Sequence, residues 1–148
     1  LLLHWLPCQN LPVMNADTAA NAAKGGYVLA EDEGFEVILI ATGSEVEIAL
    51  DAKTKLNENG RKVRVVSMPC TEIFDEQSAE YKDSVLPLTC LKRVAVEAGA
   101  TQSWYKYVGL EGRVVGLDRF GASAPYKEIF EQLGITSDNV VSKAEEIL

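Results

Sequence analysis

Residues that could carry chemistry are few in this sequence and lie far apart. His4 is the single histidine, and the three cysteines, Cys8, Cys70 and Cys90, contain no Cys-x-x-Cys pair. This spacing predicts neither a zinc site nor a disulfide framework. One histidine near the start also equips the chain poorly for general acid–base catalysis. The sequence therefore predicts a domain without a catalytic centre.

The turn formed by Thr42, Gly43 and Ser44 is a candidate anion-binding crevice. It follows the most apolar run of the chain, and open α/β sheets bind ligands at the carboxyl ends of their strands. The N–H groups that begin the next helix could hold an anion. However, the turn has one glycine and no lysine, and Glu45 and Glu47 would repel phosphate while suiting the helix dipole. We favour helix capping over ligand binding for these residues.

Two further groups of residues are candidates for function. Glu97 ends a predicted strand, and we expect its carboxylate to bond to neighbouring backbone or to an arginine rather than to act as a base. Trp104, Tyr105 and Tyr107 place three aromatic rings in four residues, which cannot all face one core. Because Trp and Tyr are enriched where subunits meet, this cluster is a candidate interface. Residues 118–125 are explained by loop chemistry.

Composition and charge restrict the classes of partner. The 148 residues carry a formal net charge of −8, which argues against nucleic acid as a partner because such binding depends on Lys and Arg. No apolar run approaches the ~20 residues that span a bilayer. We therefore expect a cytoplasmic protein that binds neither nucleic acid nor membrane.

Strand and helix patterns alternate along the chain. Apolar runs predict strands at residues 27–30, 35–42, 63–68, 94–96 and 114–117, and helical patterns follow most of them, ending with helices over 125–133 and 137–148. On the helix after Ser44, we expect Val46, Ala49, Leu50 and Leu56 to face inward and the charged residues, including Glu45, to face outward. The pattern predicts a three-layer α/β/α sandwich with a mixed, mostly parallel five-stranded sheet.

The chain divides into a short connector and one domain. Residues 1–24 read as a linker and a short helix from a preceding domain, with Asp17 as the expected N-cap, and residues 25–148 form the domain itself. The chain opens on an apolar segment without an initiator Met. We expect it to be the terminal domain of a larger enzyme.

A resemblance to a known family rests on seven segments taken in order. They are residues 9–12, 25–29, 41–46, 64–69, 93–99, 104–109 and 120–125. Each segment is modest alone, but in this order they closely resemble the C-terminal part of bacterial-type transketolase. The resemblance runs from about residue 9 to the end of the chain.

The resemblance implies a homodimeric enzyme that depends on thiamine diphosphate and Mg²⁺. Such an enzyme moves a two-carbon ketol unit between sugar phosphates in the pentose phosphate pathway. In that family other domains hold the cofactor, and the C-terminal domain contributes to the dimer. The resemblance therefore implies a structural, cofactor-free and inactive domain, whose partners are the remaining transketolase domains and a second subunit.

The sequence departs from the family pattern at Pro7 and Cys8. The family has Ser-Arg there, and its arginine binds the phosphate of the substrate. Cysteine cannot replace a guanidinium fork, so the resemblance implies no substrate-phosphate ligand in this chain. Residues 3–8 as a whole look foreign to the family.

Two other functions stay open at this point. A stand-alone α/β module could use the crevice at Thr42, Gly43 and Ser44 for a nucleotide or an anion. The chain could also be the equivalent domain of another thiamine-dependent enzyme, although residues 104–109 and 120–125 favour transketolase.

Overall fold

The fold is taken from a computed structural model that describes residues 20–119 and 126–148. The strands are β1 (Tyr27–Glu31), β2 (Val37–Ala41), β3 (Val63–Ser67), β4 (Arg93–Val96) and β5 (Arg113–Val115). The α-helices are α1 (Glu45–Glu58), α2 (Thr71–Asp75), α3 (Ala79–Val85), α4 (Tyr105–Val108), α5 (Tyr126–Leu133) and α6 (Ser137–Glu145). Two 3₁₀ turns, Ala20–Lys24 and Thr101–Trp104, complete the described elements.

The five strands form one mixed sheet in the order β1-β3-β2-β4-β5. β1 pairs with β3 in the antiparallel sense, and the other three pairings are parallel. Parallel neighbours need long crossovers, which the intervening helices provide. The predicted mixed, mostly parallel α/β sheet is confirmed.

The centre of the fold is β2, whose five residues are each 0% exposed. Alternate side chains of a strand point to opposite faces of its sheet. Leu39 accordingly packs in a cluster with residues of α1 and α6, whereas Ile38 and Ile40 pack with Phe74 and Trp104 on the other face. Both faces of the sheet are therefore covered by helical segments, as a continuous apolar run predicts.

Gly25 fixes where the chain enters the domain. Its φ is +82°, and a Cβ there would lie 2.4 Å from the carbonyl oxygen of Cys70 and 2.4 Å from the nitrogen of Phe74. Only glycine suits this left-handed, crowded position. Since Cys70 follows β3, the chain enters at the carboxyl edge of the parallel strands.

The structure differs from the predicted elements at several places. The pattern of residues 101–107 is typical of one helix, but these residues form a 3₁₀ turn followed by a single turn of α-helix. Phe35 precedes β2, and its ring lies 4.0 Å from the guanidinium carbon of Arg64. The predictions for Cys8, for the Asp17 cap and for residues 120–125 fall outside the described residues. The domain boundary at residue 25 stays a prediction.

Candidate functional site

The candidate site lies between the carboxyl ends of β2 and β4. These strands are neighbours, but the chain leaves β2 towards β3 and leaves β4 towards β5, on opposite sides. Ligands of open α/β sheets bind at such a reversal of strand order. A crevice of about 380 Å³ opens there, and the residues that line it include Thr42, Cys70, Thr71, Glu72, Glu97 and Ser103.

The charged residues that line this crevice are acidic. Glu72 and Glu97 are the two among the described residues that line it, and neither lysine nor arginine does so. Thr71 donates a hydrogen bond from Oγ1 to Glu72 Oε2 at 3.0 Å. The Glu72 backbone N–H and the neighbouring hydroxyl keep the pKa of that carboxyl below its ordinary value. The crevice therefore presents negative charge, which suits a cation or a hydrogen-bond donor better than a phosphate.

Glu45 is buried directly beside the crevice, at 5% exposure, so its predicted outward orientation is wrong. Burial raises the pKa of its carboxyl, while hydrogen bonds that include those from Ser44 and the Ala98 backbone oppose the rise. The buried residues Ala49, Ala52 and Leu56 follow Glu45 at helical spacing. That spacing indicates that Glu45 belongs to the buried face of the helix, whereas its charge alone suggests the exposed face.

Ser44 does not cap α1 with its side chain, so the capping interpretation is wrong. Its φ and ψ are −67° and −26°, which is helical rather than extended. Its hydroxyl instead donates to Glu45 Oε1 at 3.1 Å. Anion binding by Thr42, Gly43 and Ser44 stays a prediction, and the adjacent Glu45 carboxylate weighs against it.

Glu97 is half-buried and has an unusual titration. Burial, followed by the charge of Glu45, raises the pKa of the Glu97 carboxyl to about 7. Within the described part of the chain, neither a backbone N–H nor an arginine donates to this carboxylate, contrary to expectation. Glu97 can therefore take up or release a proton near neutral pH. This property depends on the fold, because β4 carries Glu97 and α1 carries the Glu45 that acts on it.

The cysteines near the crevice and sheet are unsuited to nucleophilic chemistry. Cys70 Sγ lies 3.5 Å from Glu72 Oε2, so its nearest charged partner is a carboxylate rather than a cation. Reactive thiols need positive surroundings that stabilise the thiolate. For Cys90, burial raises the pKa of the thiol. Neither side chain has the environment of a catalytic nucleophile.

The aromatic cluster predicted as an interface belongs mainly to the core. Trp104 is 4% exposed and Tyr107 is 6% exposed, so these two rings face the core. Their ring centroids lie 6.0 Å apart, and Tyr107 donates a hydrogen bond to Asp75 Oδ2 at 3.0 Å. Tyr105 is 56% exposed. The interface prediction now rests on Tyr105 and stays a prediction.

The described part of the chain contains neither a metal-binding cluster nor a helix that could span a membrane. In residues 20–119 and 126–148, no group of three or more His, Cys, Asp or Glu side chains is placed to hold a metal ion. Within those ranges no helix combines the length and the apolar character needed to cross a membrane.

Comparisons with known sequences agree on one family. A family model for the transketolase-like C-terminal domain matches residues 25–136. Transketolase 2 of Pasteurella multocida is 56% identical over 146 residues, which cover 95% of this chain and 22% of the relative. Transketolase 2 of Vibrio parahaemolyticus is 53% identical over 135 residues, which cover 90% of this chain and 20% of the relative. The chain thus spans about a fifth of the length of the curated relatives it matches.

Comparisons with solved structures agree with the sequence matches. The transketolase of Pichia stipitis, solved in complex with sedoheptulose-7-phosphate, superposes with a TM-score of 0.86 at 41% identity. That superposition covers 94% of this chain and 20% of the other. A split-gene transketolase, solved as an inactive β4 tetramer, matches with a TM-score of 0.67 at 22% identity, covering 85% of this chain and 43% of the other, and shows the fold alone.

Proposed function

Because this chain belongs to the transketolase family and matches its C-terminal domain, we propose that it serves as the structural and dimer-supporting domain of a transketolase. The parent enzyme transfers a two-carbon ketol unit between sugar phosphates of the pentose phosphate pathway. The observation that carries this proposal is the family match over residues 25–136. The superposition on a transketolase that was solved with a sugar phosphate supports it.

The reaction itself is assigned to parts of the parent enzyme beyond this chain. Thiamine diphosphate and Mg²⁺ are the proposed cofactors of the whole enzyme. The residues described here do not fit a diphosphate, because the carboxyl-edge crevice is lined by Glu72 and Glu97 and by no lysine or arginine of the described chain. The Glu72 carboxylate, joined by Glu97 whenever that group is ionised, would repel the diphosphate. No catalytic step is therefore assigned to these side chains.

The proposed partners are the remaining transketolase domains and the second subunit of a homodimer. Sugar phosphates are the proposed substrates of the whole enzyme. The cytoplasmic location expected from the sequence belongs to the same proposal, and imaging of the tagged parent protein would test it.

A domain exchange tests the proposal. Residues 25–148 of this chain would replace the matching part of Pasteurella multocida Transketolase 2, a relative 56% identical over the aligned residues. We expect the exchanged enzyme to keep ketol transfer and its dimer. The unmodified relative, prepared in parallel, is the control. A folded dimeric chimera without activity would contradict the proposed role.

The isolated chain provides a second arm of the test. We expect calorimetry with thiamine diphosphate and Mg²⁺ to record no binding by the 148-residue chain. Saturable binding at micromolar cofactor would overturn the assignment of cofactor binding to other domains.

A further inference from the structure

An exposed Asn-Gly pair follows the last residue of helix α1. Asn59 comes directly after Glu58, and both Asn59 and Gly60 are exposed. Asparagine is among the chemically labile residues of proteins. We propose that Asn59 is a site of spontaneous covalent modification, at which the Gly60 nitrogen closes a succinimide ring and water then opens it to aspartate or isoaspartate. This inference goes beyond the proposed function and does not depend on it.

The reaction needs no reagent other than water. The backbone nitrogen of Gly60 bonds to Cγ of Asn59, the bond from Cγ to Nδ2 breaks, and ammonia leaves with the proton that the Gly60 nitrogen loses. Water then adds to one of the carbonyls of the ring. Cleavage of the bond from Cγ to the ring nitrogen gives aspartate, whereas cleavage of the bond from the α-carbonyl carbon gives isoaspartate. Nothing is oxidised or reduced, and the chain gains a carboxylate.

Gly60 leaves room for the ring to close. Its φ is +78°, and a Cβ at this position would meet no atom within 4 Å outside its immediate chain neighbours. A side chain on this residue would hinder the attack of its own nitrogen, whereas glycine adopts the widest range of backbone conformations. Gly60 therefore presents an unhindered nitrogen in open surroundings.

The neighbouring Asn57 shows what protects an asparagine in the same helix. Its Nδ2 donates a hydrogen bond to Asp32 Oδ2 at 2.6 Å, and its Oδ1 accepts one from Lys53 at 3.1 Å. The residue that follows it carries a side chain. By contrast, no described residue forms a hydrogen bond with the side chain of Asn59. The Asn59 amide can therefore turn towards the Gly60 nitrogen.

The other two asparagines of the described ranges lack the same combination. Asn139 donates to the Gly134 carbonyl at 2.8 Å, and the β-branched Val140 follows it. Asn21 is exposed, but Ala22 follows it. Exposure, an unbound amide and a following glycine coincide at Asn59 alone among the residues that the structure describes.

Two backbone hydrogen bonds oppose the reaction in the folded chain. The Gly60 N–H donates to the Asn57 carbonyl at 2.9 Å, and the Arg61 N–H donates to the Leu56 carbonyl at 2.9 Å. The ring can close only when this last turn opens, and exposed ends of elements open at low cost. From the ordinary strength of two such bonds, we expect the folded chain to react about 5- to 150-fold more slowly than a free peptide.

Isoaspartate formed from Asn59 would loosen the end of α1. It places an extra methylene in the backbone, so the Arg61 N–H no longer meets the carbonyl of Leu56, whose side chain is 0% exposed. The new carboxylate also lies at the carboxyl end of the helix, where the dipole disfavours negative charge. We expect the modified chain to melt at a lower temperature than the fresh chain.

Peptide mapping of the full 148-residue chain, aged at physiological temperature in mildly alkaline buffer, tests the proposal. Trypsin releases residues 56–61, so Asn57 serves as the internal control for Asn59 in one peptide. Fragmentation in the mass spectrometer locates the exchange of amide NH₂ for OH and separates isoaspartate from aspartate. A synthetic peptide of residues 56–61 sets the timescale. We expect Asn59 to react at least about tenfold faster than Asn57, with isoaspartate among the products.

Two variants separate the effects of the modification. Asn59→Gln should stay unmodified on the same timescale, because glutamine would have to close a larger ring, and its melting temperature should not fall on ageing. Fresh Asn59→Asp carries the new charge without the change in the backbone. It should therefore lower the melting temperature less than isoaspartate does.

Four outcomes would contradict the proposal. Asn59 could react no faster than Asn57, or more slowly than the expected range below the free peptide, and either result would remove the site. Aspartate without isoaspartate would indicate direct hydrolysis by water rather than a ring. A modified chain with an unchanged melting temperature would overturn the expected loosening of α1. None of these outcomes affects the domain-exchange test, so the two proposals fail separately.

Discussion

Glu45 and Glu97 flank the reversal point of the sheet, and the charge of Glu45 acts on the Glu97 carboxyl. Glu45 begins α1 after β2, and Glu97 follows β4. Two causes raise the pKa of Glu97 to about 7. Burial is the larger, and the charge of Glu45 is the second. Because like charges in a poorly solvated place cannot both form without penalty, the carboxylate of Glu45 disfavours ionisation of Glu97. This edge of the domain changes its charge near neutral pH.

Glu97→Gln should stabilise the folded chain at pH 8 and hardly change it at pH 4. The folded pKa of Glu97 lies above the ordinary value of 4.5, at about 7. Stability is therefore greatest below the ordinary pKa and is lost as pH rises through the folded one. At ~1.4 kcal/mol per pKa unit, the gain at pH 8 is at most ~3.5 kcal/mol, and partial exposure of the side chain reduces it.

Urea denaturation at a series of pH values measures this effect. Glu47→Gln is the control, because Glu47 is exposed on the same helix. An equal response of both variants at every pH would show that the pKa of Glu97 is not raised in the folded chain.

Asp32→Asn should destabilise the chain at neutral pH. A hydrogen bond from Lys53 is the main cause that lowers the pKa of Asp32 to about 2. The Asn57 side chain and the Val63 backbone N–H also donate hydrogen bonds to the Asp32 carboxylate. The stabilisation is present above the ordinary pKa of 3.8 and is lost as pH falls through about 2. We expect a loss of ~1.5–3 kcal/mol at pH 7, which shrinks on acidification.

Thermal melts between pH 2 and 7 test this prediction for Asp32. Glu33→Gln, at an exposed neighbouring position, supplies the control. A destabilisation of Asp32→Asn that stays constant down to pH 2 would show that the carboxylate charge is not responsible.

Arg93→Lys should be strongly destabilising even though the substitution keeps the positive charge. An ammonium group cannot reproduce the guanidinium's bonds to four carbonyls in three directions. Each buried carbonyl left without a donor costs ~1–3 kcal/mol, so we expect a loss of ~3 kcal/mol or more. Arg61→Lys changes a surface ion pair whose arginine side chain is 38% exposed, and it should cost under ~1 kcal/mol. Equal losses in chemical denaturation would contradict the structural role of Arg93.

Trp104→Ala should reduce the stability of the monomer itself. Trp104 is 4% exposed and packs with Tyr107, and removing a buried Trp costs ~3–5 kcal/mol. Tyr105→Ala, at a position that is 56% exposed, should cost under ~0.5 kcal/mol. Denaturation at a concentration where the chain is monomeric separates the two cases. A stable Trp104→Ala monomer would restore the interface interpretation.

Cys8→Arg combined with Pro7→Ser should improve the use of phosphorylated sugars by the parent enzyme. This prediction rests on the family resemblance. The resemblance implies that the family position matching Cys8 holds an arginine, which binds the phosphate of the substrate. Hydrogen bonds to charged groups contribute ~1.5–3 kcal/mol, which is about a 10- to 150-fold change in kcat/KM. The change should appear mainly in KM, because the phosphate binds ground and transition states alike. Acceptors without phosphate are the control, and equal kinetics of both enzymes would contradict the role.

Much of the sheet could be predicted because its strands are apolar runs with clear ends. Residues 35–42 predicted a strand buried on both faces, and β2 is buried on both faces. Helix α1 ends at Glu58, directly before Asn59 and Gly60, a pair that is typical of helix ends. In both cases the pattern is local, so neighbouring residues alone determine the element.

The site residues were harder to predict because their environments come from distant segments. Charge suggested that Glu45 faces solvent, although its spacing from Ala49 and Ala52 places it on the buried stripe. The pKa of Glu97 depends on that same helix.

The strand order also restricts how the chain can fold as it is synthesised. β1 pairs with β3 rather than with β2, and β2 pairs with both β3 and β4. Tyr27 therefore finds its partner Ser67 only after α1 and β3 have left the ribosome. Long closures of this kind slow folding and leave strand edges open in the meantime. The nascent domain should accordingly stay sensitive to proteases and recruit chaperones until β4 is complete.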